Sequence, residues 1–293
     1  GHVKYVEADK EINAAEMTFD STDDSLLLVG RGVELASVKM GSDTILSETL
    51  TIFDTDRGYH LKGKGAGRLL YYDEGAAGAE PSYDVRWTER CAYSEAQAVF
   101  TGEVSARRGD GTFRCRVLTM TFDSAKKGGA MNQPREIIAD GDVLFDDLSR
   151  MGEGGRAQPL HAQGDRMTYD YRSGVMTLEN THPYDLTLRN LPPEAAVSVD
   201  IGDSRITSRV IHYQEIKADD GTVSHVLWTL RGGEIDTQQR AEPGSESVPP
   251  VRERTRIRCD KTIMYGPANR VTRLLTKIGL VLGKSPLPAH LLP

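Results

Sequence analysis

The sequence predicts an all-β protein in which pairs of antiparallel strands are stacked in series. The first observation is a repeated tetrapeptide: Met17-Thr-Phe-Asp20 recurs as Met120-Thr-Phe-Asp123 and as Met167-Thr-Tyr-Asp170. A pattern that returns every few tens of residues is typical of architectures that repeat one supersecondary unit. The second observation is that apolar and polar residues alternate within each copy. Because side chains alternate faces along a strand, Met and the aromatic residue share one face while Thr and Asp share the other.

Segments rich in β-branched and aromatic residues, which are typical of strands, occur along most of the chain. The clearest are residues 49–53, 117–122, 175–178, 197–201 and 223–230. Turn sequences such as Gly109-Asp-Gly111 and Arg172-Ser-Gly174 lie between them, and their glycines supply the positive φ of tight hairpins. Gly102, near a strand end in Phe100-Thr-Gly-Glu-Val104, predicts a bulge or a bend.

The 293 residues suit one large domain or two smaller ones. We expect a first β-segment over residues 1–125 and a second over 135–267 that continues the first. Residues 268–293 are predicted to form a short amphipathic helix and a tail, because their apolar residues follow helical spacing. This helix has two interpretations, a cap on the β-stack or a contact with a partner or membrane surface. The loop 238–251, rich in Pro, Gly, Ser and Glu, is predicted to be disordered.

Composition excludes several classes of function. The formal charge of −7 and the pI near 5.6 argue against nucleic acid as the main partner, because phosphate backbones are bound by basic surfaces. The sequence contains no run of eighteen or more apolar residues, so it predicts no membrane-spanning helix. Gly1-His2 is typical of a cloning remnant, so the lack of a secretory leader excludes neither a natural leader nor a membrane anchor.

Cysteine, histidine and aspartate residues show no enzymatic pattern. Cys91, Cys115 and Cys259 form no C-x-x-C pair and are interpreted as small residues packed inside strands, with a disulfide or a reactive thiol as the alternative. The histidines lack metal-ligand spacing. The Asp after each aromatic residue is interpreted as a turn residue, with a carboxylate ladder as the alternative. We therefore expect no catalytic group, no cofactor and no metal.

Residues 113–123 and 161–170 carry the clearest repeat: a small residue, then apolar-x-aromatic-Asp, then a turn with glycine. This pattern resembles the OstA-like β-jellyroll family, the lipopolysaccharide-transport proteins LptA, LptC and the N-terminal domain of LptD. The resemblance implies an elongated antiparallel β-jellyroll, with two facing sheets forming a V-shaped stack of repeated strand pairs. It also implies a periplasmic location, with a membrane anchor left open. Lipopolysaccharide or a related glycolipid would bind in an apolar groove, and other envelope transport proteins would pair with edge strands or end to end.

The groove implied by the resemblance would be lined by the inward residues of the repeat, and these are the candidate site residues. They are Met17, Phe19, Phe53, Tyr72, Met120, Phe122, Phe145, Met167, Tyr169, Ile263 and Tyr265. Two other interpretations stay open. One is a scaffold or assembly module whose apolar interior is a closed core. The other is a carbohydrate-active β-solenoid enzyme with carboxylates clustered on one sheet face.

Overall fold

The computed structural model describes residues 2–7, 10–55, 58–72, 80–94, 96–123, 134–147, 159–181, 196–201, 204–217, 223–229, 232–239, 253–259 and 264–265. Within these ranges all the regular secondary structure is β-strand, and the strands pair antiparallel. The prediction of an all-β antiparallel fold is therefore confirmed for this part of the chain. The predicted helix over 268–293 lies outside the described residues.

The chain forms two compact units, Gly1–His161 with Arg166–Tyr171, and Ala162–Asp165 with Arg172–Pro293. Unit 1 contains β1 (Val3–Glu7), β2 (Lys10–Ala14), β3 (Glu16–Asp20), β4 (Ser25–Val29), β5 (Ala36–Met40), β6 (Asp43–Thr55), β7 (Gly58–Tyr71), β8 (Tyr83–Trp87), β9 (Arg90–Ser94), β10 (Gln97–Arg108), β11 (Gly111–Phe122), β12 (Pro134–Asp147) and most of β13 (Leu160–Asp170). β11 and β12, which flank the sequence-based boundary at 125–135, pair along most of their length within unit 1.

Each layer of unit 1 is one long strand or two short strands in line. β8 and β9, for example, pair with opposite halves of β10, where Val85 faces Ala106 and Cys91 faces Phe100. Where β8 ends and β9 begins, β10 has a register shift against β11, and similar shifts occur in the β6–β7 and β11–β12 pairs. The line of bends divides unit 1 into two half-sheets.

Half-sheet A comprises residues 3–7, 10–14, 36–40, 43–47, 67–71, 83–87, 104–108, 111–115, 143–147 and 160–161. Half-sheet B comprises residues 16–20, 25–29, 49–55, 58–64, 90–94, 97–101, 117–122, 134–140 and 166–170.

Gly102 allows β10 to bend between the half-sheets. Its φ is +101°, and an added Cβ would lie 2.4 Å from Thr88 Oγ1 and 2.8 Å from the Glu89 nitrogen. The Thr88 hydroxyl caps the bend by accepting a 2.9 Å hydrogen bond from the Glu103 N–H. The bend that the sequence predicted at this glycine is confirmed, and it has the features of a glycine bulge.

The core of unit 1 lies between the half-sheets. Their inward side chains alternate with exposed ones along each strand, and from β4 to β12 the largest of these inward side chains are buried: Trp87, Tyr71, Phe100, Leu28, Ile45, Leu50, Leu61, Leu69, Leu118 and Met120 are less than 2% exposed. Because a single sheet layer can bury its face only against another layer, the two inner faces cover each other. This arrangement is the β-jellyroll that the resemblance implied.

Unit 2 contains β14 (Val175–Glu179), β15 (Val197–Ile201), β16 (Ser204–Ser208), β17 (Val210–Lys217), β18 (Val223–Thr229), β19 (Gly233–Gln239), β20 (Glu253–Cys259) and β21 (Met264–Tyr265). One series pairs in the order β14, β17, β18 and β21, and a second in the order β15, β16, β19 and β20. The predicted strands at 175–178 and 197–201, and that at 223–230 up to Thr229, are present. Gln238 and Gln239 of the predicted loop lie in β19, and residues 240–252 are outside the described part of the chain. A search of the described residues found no helix long and apolar enough to cross a membrane.

Candidate functional site

An unbroken row of apolar side chains crosses eight strands of half-sheet B. Each member pairs with the next across adjacent strands. Most of these side chains are buried, so the row lies on the inner face of the half-sheet. With strands about 4.8 Å apart, the row is roughly 34 Å long. We name it the Met120 row, and its members are Phe19, Leu26, Ile52, Leu61, Tyr93, Ala98, Met120 and Ile137.

Half-sheet A carries a matching row on its own inner face. This Val38 row consists of Tyr5, Ile12, Val38, Ile45, Leu69, Val85, Ala106, Phe113 and Phe145. Neither row contains an ionisable carboxylate, amine or imidazole. Two facing apolar strips of this length can take up apolar chains by the hydrophobic effect.

Both rows are closed along their middle and open at the N-terminal end. Leu61, Ala98 and Met120 are fully buried, whereas Phe19 is 62% exposed and Tyr5 47% exposed. The difference arises because β1 and β3 form the first layer of each half-sheet, so within the described residues they pair on one side only. The inner face is therefore accessible at this end of unit 1.

Several of the sequence-predicted site residues lie on the inner face. Met120, Phe122 and Met167 are buried there, and Met17, opposite Leu28, is half-buried on β3. Phe19 belongs to the exposed end of the Met120 row, and Phe145 is the half-buried last member of the Val38 row. Tyr169 is half-buried and two residues beyond Met167, so it continues the same face towards the strand end.

Phe53 and Tyr72 depart from this arrangement. Because Ile52 is inward and neighbouring side chains alternate, Phe53 lies on the outer face, where the Lys62 Nζ stands 5.0 Å from its ring centroid. Tyr71, only 1% exposed, occupies the inward position next to Tyr72. The Tyr72 N–H donates a 2.8 Å hydrogen bond to the Asp43 carboxylate just after β7 ends. The structure thus brings Tyr71 to the inner face and leaves these two predicted residues off it.

The last two predicted site residues belong to unit 2. Ile263 lies outside the described residues. Tyr265 pairs with Leu227 through the short strand β21, and its side chain lies outside what the structure describes.

A charged residue that sequence reasoning missed lies at the rim of the inner face. Arg108 ends β10 and follows inward Val104 and Ala106 in the strand alternation. Its guanidinium carbon lies within 6 Å of the ring centroids of three tyrosines, one of which is the predicted residue Tyr169. The only signal in the sequence is the alternation of side chains along β10, which places Arg108 on the same face as the apolar residues before it.

The two described cysteines are packed as small apolar residues. Cys91 and Cys115 are free and buried, and burial raises the pKa of each thiol to about 12. A thiol with such a pKa carries almost no thiolate at neutral pH, so it is a poor nucleophile. The interpretation as buried hydrophobes is confirmed for both residues. Among the described residues no group of His, Cys, Asp or Glu is placed to hold a metal ion.

The imidazole of His212 has a lowered pKa. It stacks on Trp228 in unit 2 with ring centroids 5.2 Å apart, and its Nδ1 hydrogen-bonds the Thr177 hydroxyl at 2.9 Å. Its Nε2 is buried without a hydrogen-bond partner. Burial lowers the pKa of His212 below its ordinary value near 6.5, because the charged imidazolium is poorly solvated there.

We expect acidification to destabilise unit 2 through His212. As pH falls through about 6.5 the unfolded chain binds a proton that the folded chain does not, so the unfolding free energy decreases, by at most about 1.4 kcal/mol per pH unit. Urea unfolding of the wild-type chain and of His212→Phe between pH 7.5 and 5.5 measures how the unfolding free energy depends on pH. The phenyl ring keeps the stack on Trp228 and cannot titrate, so the unfolding free energy of His212→Phe should change less with pH. Identical slopes in the two proteins would contradict the assignment.

Fold and site together define a class, an antiparallel β-jellyroll with an apolar inner face. Residues 88–219 match the family model described as "LptA/(LptD N-terminal domain) LPS transport protein". This part of the chain is therefore similar to a family that is described as lipopolysaccharide-transport proteins.

Among solved structures, one match is the crystal structure of LptH from Pseudomonas aeruginosa, described as the LptA homologous periplasmic component of the conserved lipopolysaccharide transport device. It shares 12% sequence identity, and the alignment covers 59% of this chain and 93% of that chain with a TM-score of 0.33. No curated protein matches the chain.

Proposed function

We propose that this protein binds the acyl chains of lipopolysaccharide, or of a related glycolipid, between its half-sheets and passes the lipid across the periplasm without catalysis. The continuous Met120 row carries this proposal, and the family match to residues 88–219 supports it. Each methylene that leaves water for the apolar interior contributes about 0.8 kcal/mol. A few acyl chains would therefore give ample affinity, and the free energy comes from burial alone.

The partners proposed are other envelope transport proteins that add a strand to the N-terminal edge. Within the described residues β1 and β3 each have one unpaired side, and this edge exposes Val6 at 59% and Phe19 at 62%. An unpaired backbone edge beside exposed apolar side chains is the arrangement that strand addition uses. Pairing there would align the inner faces of two proteins, so that a lipid could move from one to the next.

Site-specific photo-crosslinking tests the proposal. A benzophenone amino acid at Phe19 or Phe122, both inward, is expected to form adducts with added lipopolysaccharide. The neighbouring residues Thr18 and Thr121 face outward on the same strands and serve as matched controls that should form none. Phe19 is exposed, so the bulky probe there tests lipid binding without disturbing the core. Equal labelling of inward and outward positions, or no lipid adduct at any inward position, would contradict lipid binding.

A closed-core scaffold is the second candidate, and one observation favours it. From Leu61 to Ile137 the Met120 row is at most 7% exposed, as in an ordinary packed core. This function predicts protein adducts at Phe19 when envelope partners are present and no lipid adducts at Phe122. The same panel of probes therefore separates the two functions.

A further inference from the structure

A cluster of three tyrosines surrounds the guanidinium of Arg108 at the rim of unit 1. The Arg108 Cζ lies 5.5 Å from the ring centroid of Tyr83, 5.8 Å from that of Tyr169 and 5.4 Å from that of Tyr171. Tyr169 and Tyr171 also meet edge to face, with their centroids 4.8 Å apart. Three rings at this distance from one cation give attractive cation–π contacts.

The cluster joins two edges that the hydrogen-bonding pattern keeps far apart. Arg108 pairs with Gly111, which pairs with Asp147 at the end of β12, so it lies at the outer edge of half-sheet A. The Tyr171 N–H donates a 3.0 Å hydrogen bond to the Arg135 carbonyl near the start of β12. Tyr171 therefore lies at the outer edge of half-sheet B. Residues 135 and 147 are twelve residues apart along one strand. The side chains therefore meet across the mouth between the half-sheets.

Side-chain alternation points both partners towards this mouth. Arg108 has the parity of the buried residues Val104 and Ala106, and Tyr169 has the parity of buried Met167. Arg107 lies on the opposite face of β10. It forms a 3.4 Å ion pair with Glu80, which precedes β8 of the same half-sheet. The two consecutive arginines thus have different roles, and only Arg108 bridges the half-sheets.

We propose that Arg108, Tyr83, Tyr169 and Tyr171 form a clasp that closes the mouth of the jellyroll and must open before a lipid chain can insert sideways between the half-sheets. The proposal rests on the proposed lipid-binding function. The closed middle of the Met120 row explains why such a device is needed: with Leu61, Ala98 and Met120 fully buried, an acyl chain reaches them only if the half-sheets separate. Cation–π contacts at an exposed arginine are weak enough to break and re-form.

Spin-label distances test the clasp without any lipid. Labels attached at Asp110→Cys and Arg135→Cys, two exposed positions, report the separation of the edges of half-sheets A and B. Cys259→Ser removes one native thiol, and the pKa of about 12 keeps the buried thiols of Cys91 and Cys115 from reacting. In this background Arg108→Gln is expected to raise the population at long distance about tenfold, which corresponds to lost contacts worth about 1.4 kcal/mol. Arg107→Gln, the matched control, should leave the distances unchanged.

The nature of the contact is read from two further variants. Tyr169→Phe keeps the aromatic face and should preserve the short distance, whereas Tyr169→Leu keeps apolar bulk but should lengthen it. An unchanged distance in Arg108→Gln, or the same change in Arg107→Gln, would overturn the clasp.

Lipopolysaccharide crosslinking at Phe122, with the probe at that position, provides the functional readout. Arg108→Gln is expected to increase the rate of adduct formation about tenfold, in line with the larger open population. If no variant forms adducts, the lipid-binding function fails while the distance result stands. If adducts form at equal rates with and without Arg108, the lipid function stands and the clasp does not control insertion.

Discussion

Replacing Trp87 by alanine is expected to lower the unfolding free energy of unit 1 by about 3–5 kcal/mol, as for other buried tryptophans. Trp87 ends β8 just before the bend between the half-sheets, is buried and packs on Phe100 with ring centroids 4.9 Å apart. The alanine would leave a cavity between strands that the bend holds in place, so the surroundings can collapse only partly. Urea unfolding followed by far-ultraviolet circular dichroism measures the loss.

Two controls separate the cavity from other effects at Trp87. Trp87→Phe keeps an aromatic ring against Phe100 and should cost less than half as much. The Trp87 Nε1 is buried without a hydrogen-bond partner, so neither replacement removes a hydrogen bond. Arg86→Ala changes the preceding side chain, which is 60% exposed, and should change stability by less than about 0.5 kcal/mol. If Trp87→Ala cost no more than Arg86→Ala, the proposed core of unit 1 would be wrong.

Adding a single methyl group at Gly67 is expected to be nearly as damaging. An added Cβ would lie 2.2 Å from Trp87 Cζ2 and 2.4 Å from the Leu46 carbonyl oxygen, both far inside van der Waals contact. One obstacle is a buried ring and the other is backbone in the paired strand β6, so neither can move cheaply. We expect Gly67→Ala to lower the unfolding free energy by about 3 kcal/mol, the upper end of the usual overpacking range.

A double-mutant cycle assigns the source of that loss. In a Trp87→Leu background one of the two clashes is relieved, so Gly67→Ala should cost about 1–2 kcal/mol less than in the wild-type chain. The clash with the Leu46 oxygen persists, so the cost should not vanish. Gly109→Ala is the matched control: its φ is +55° and nothing lies within 4 Å of an added Cβ, so only about 1 kcal/mol of backbone strain is expected. Additive losses at Gly67 and Trp87 would contradict their contact.

Period-2 alternation explains which inward residues could be predicted from the sequence. In β11 the pattern of Leu118, Met120 and Phe122 against Thr119 and Thr121 assigns the inner face correctly, and all three apolar residues are buried. The fold class and the bend at Gly102 follow from equally local signals.

Phe53 shows where the repeated motif misled. Its resemblance to Phe122 in the aromatic-Asp motif predicted an inward ring, but Leu50 and Ile52 are the buried residues of that strand. The alternation of apolar and polar residues within 49–53 assigns Leu50 and Ile52 to the inner face, which is correct. Aligning the repeats by their aromatic residue instead moved the inward assignment by one position, to Phe53. A shift of one residue along a strand moves a side chain to the other face.

The sequence by itself determined that this chain forms antiparallel strands with an apolar face, because alternation and turn chemistry act between near neighbours. Only the tertiary structure decided that the two apolar faces cover each other, that Phe19 and Tyr5 stay exposed at one end, and that Arg108 meets Tyr169 across the mouth. Those features depend on how bends at Gly102 and its neighbours direct strands distant in sequence. Local sequence patterns cannot predict these contacts, because contacts between distant strands depend on the summed twist and bend of every layer between them.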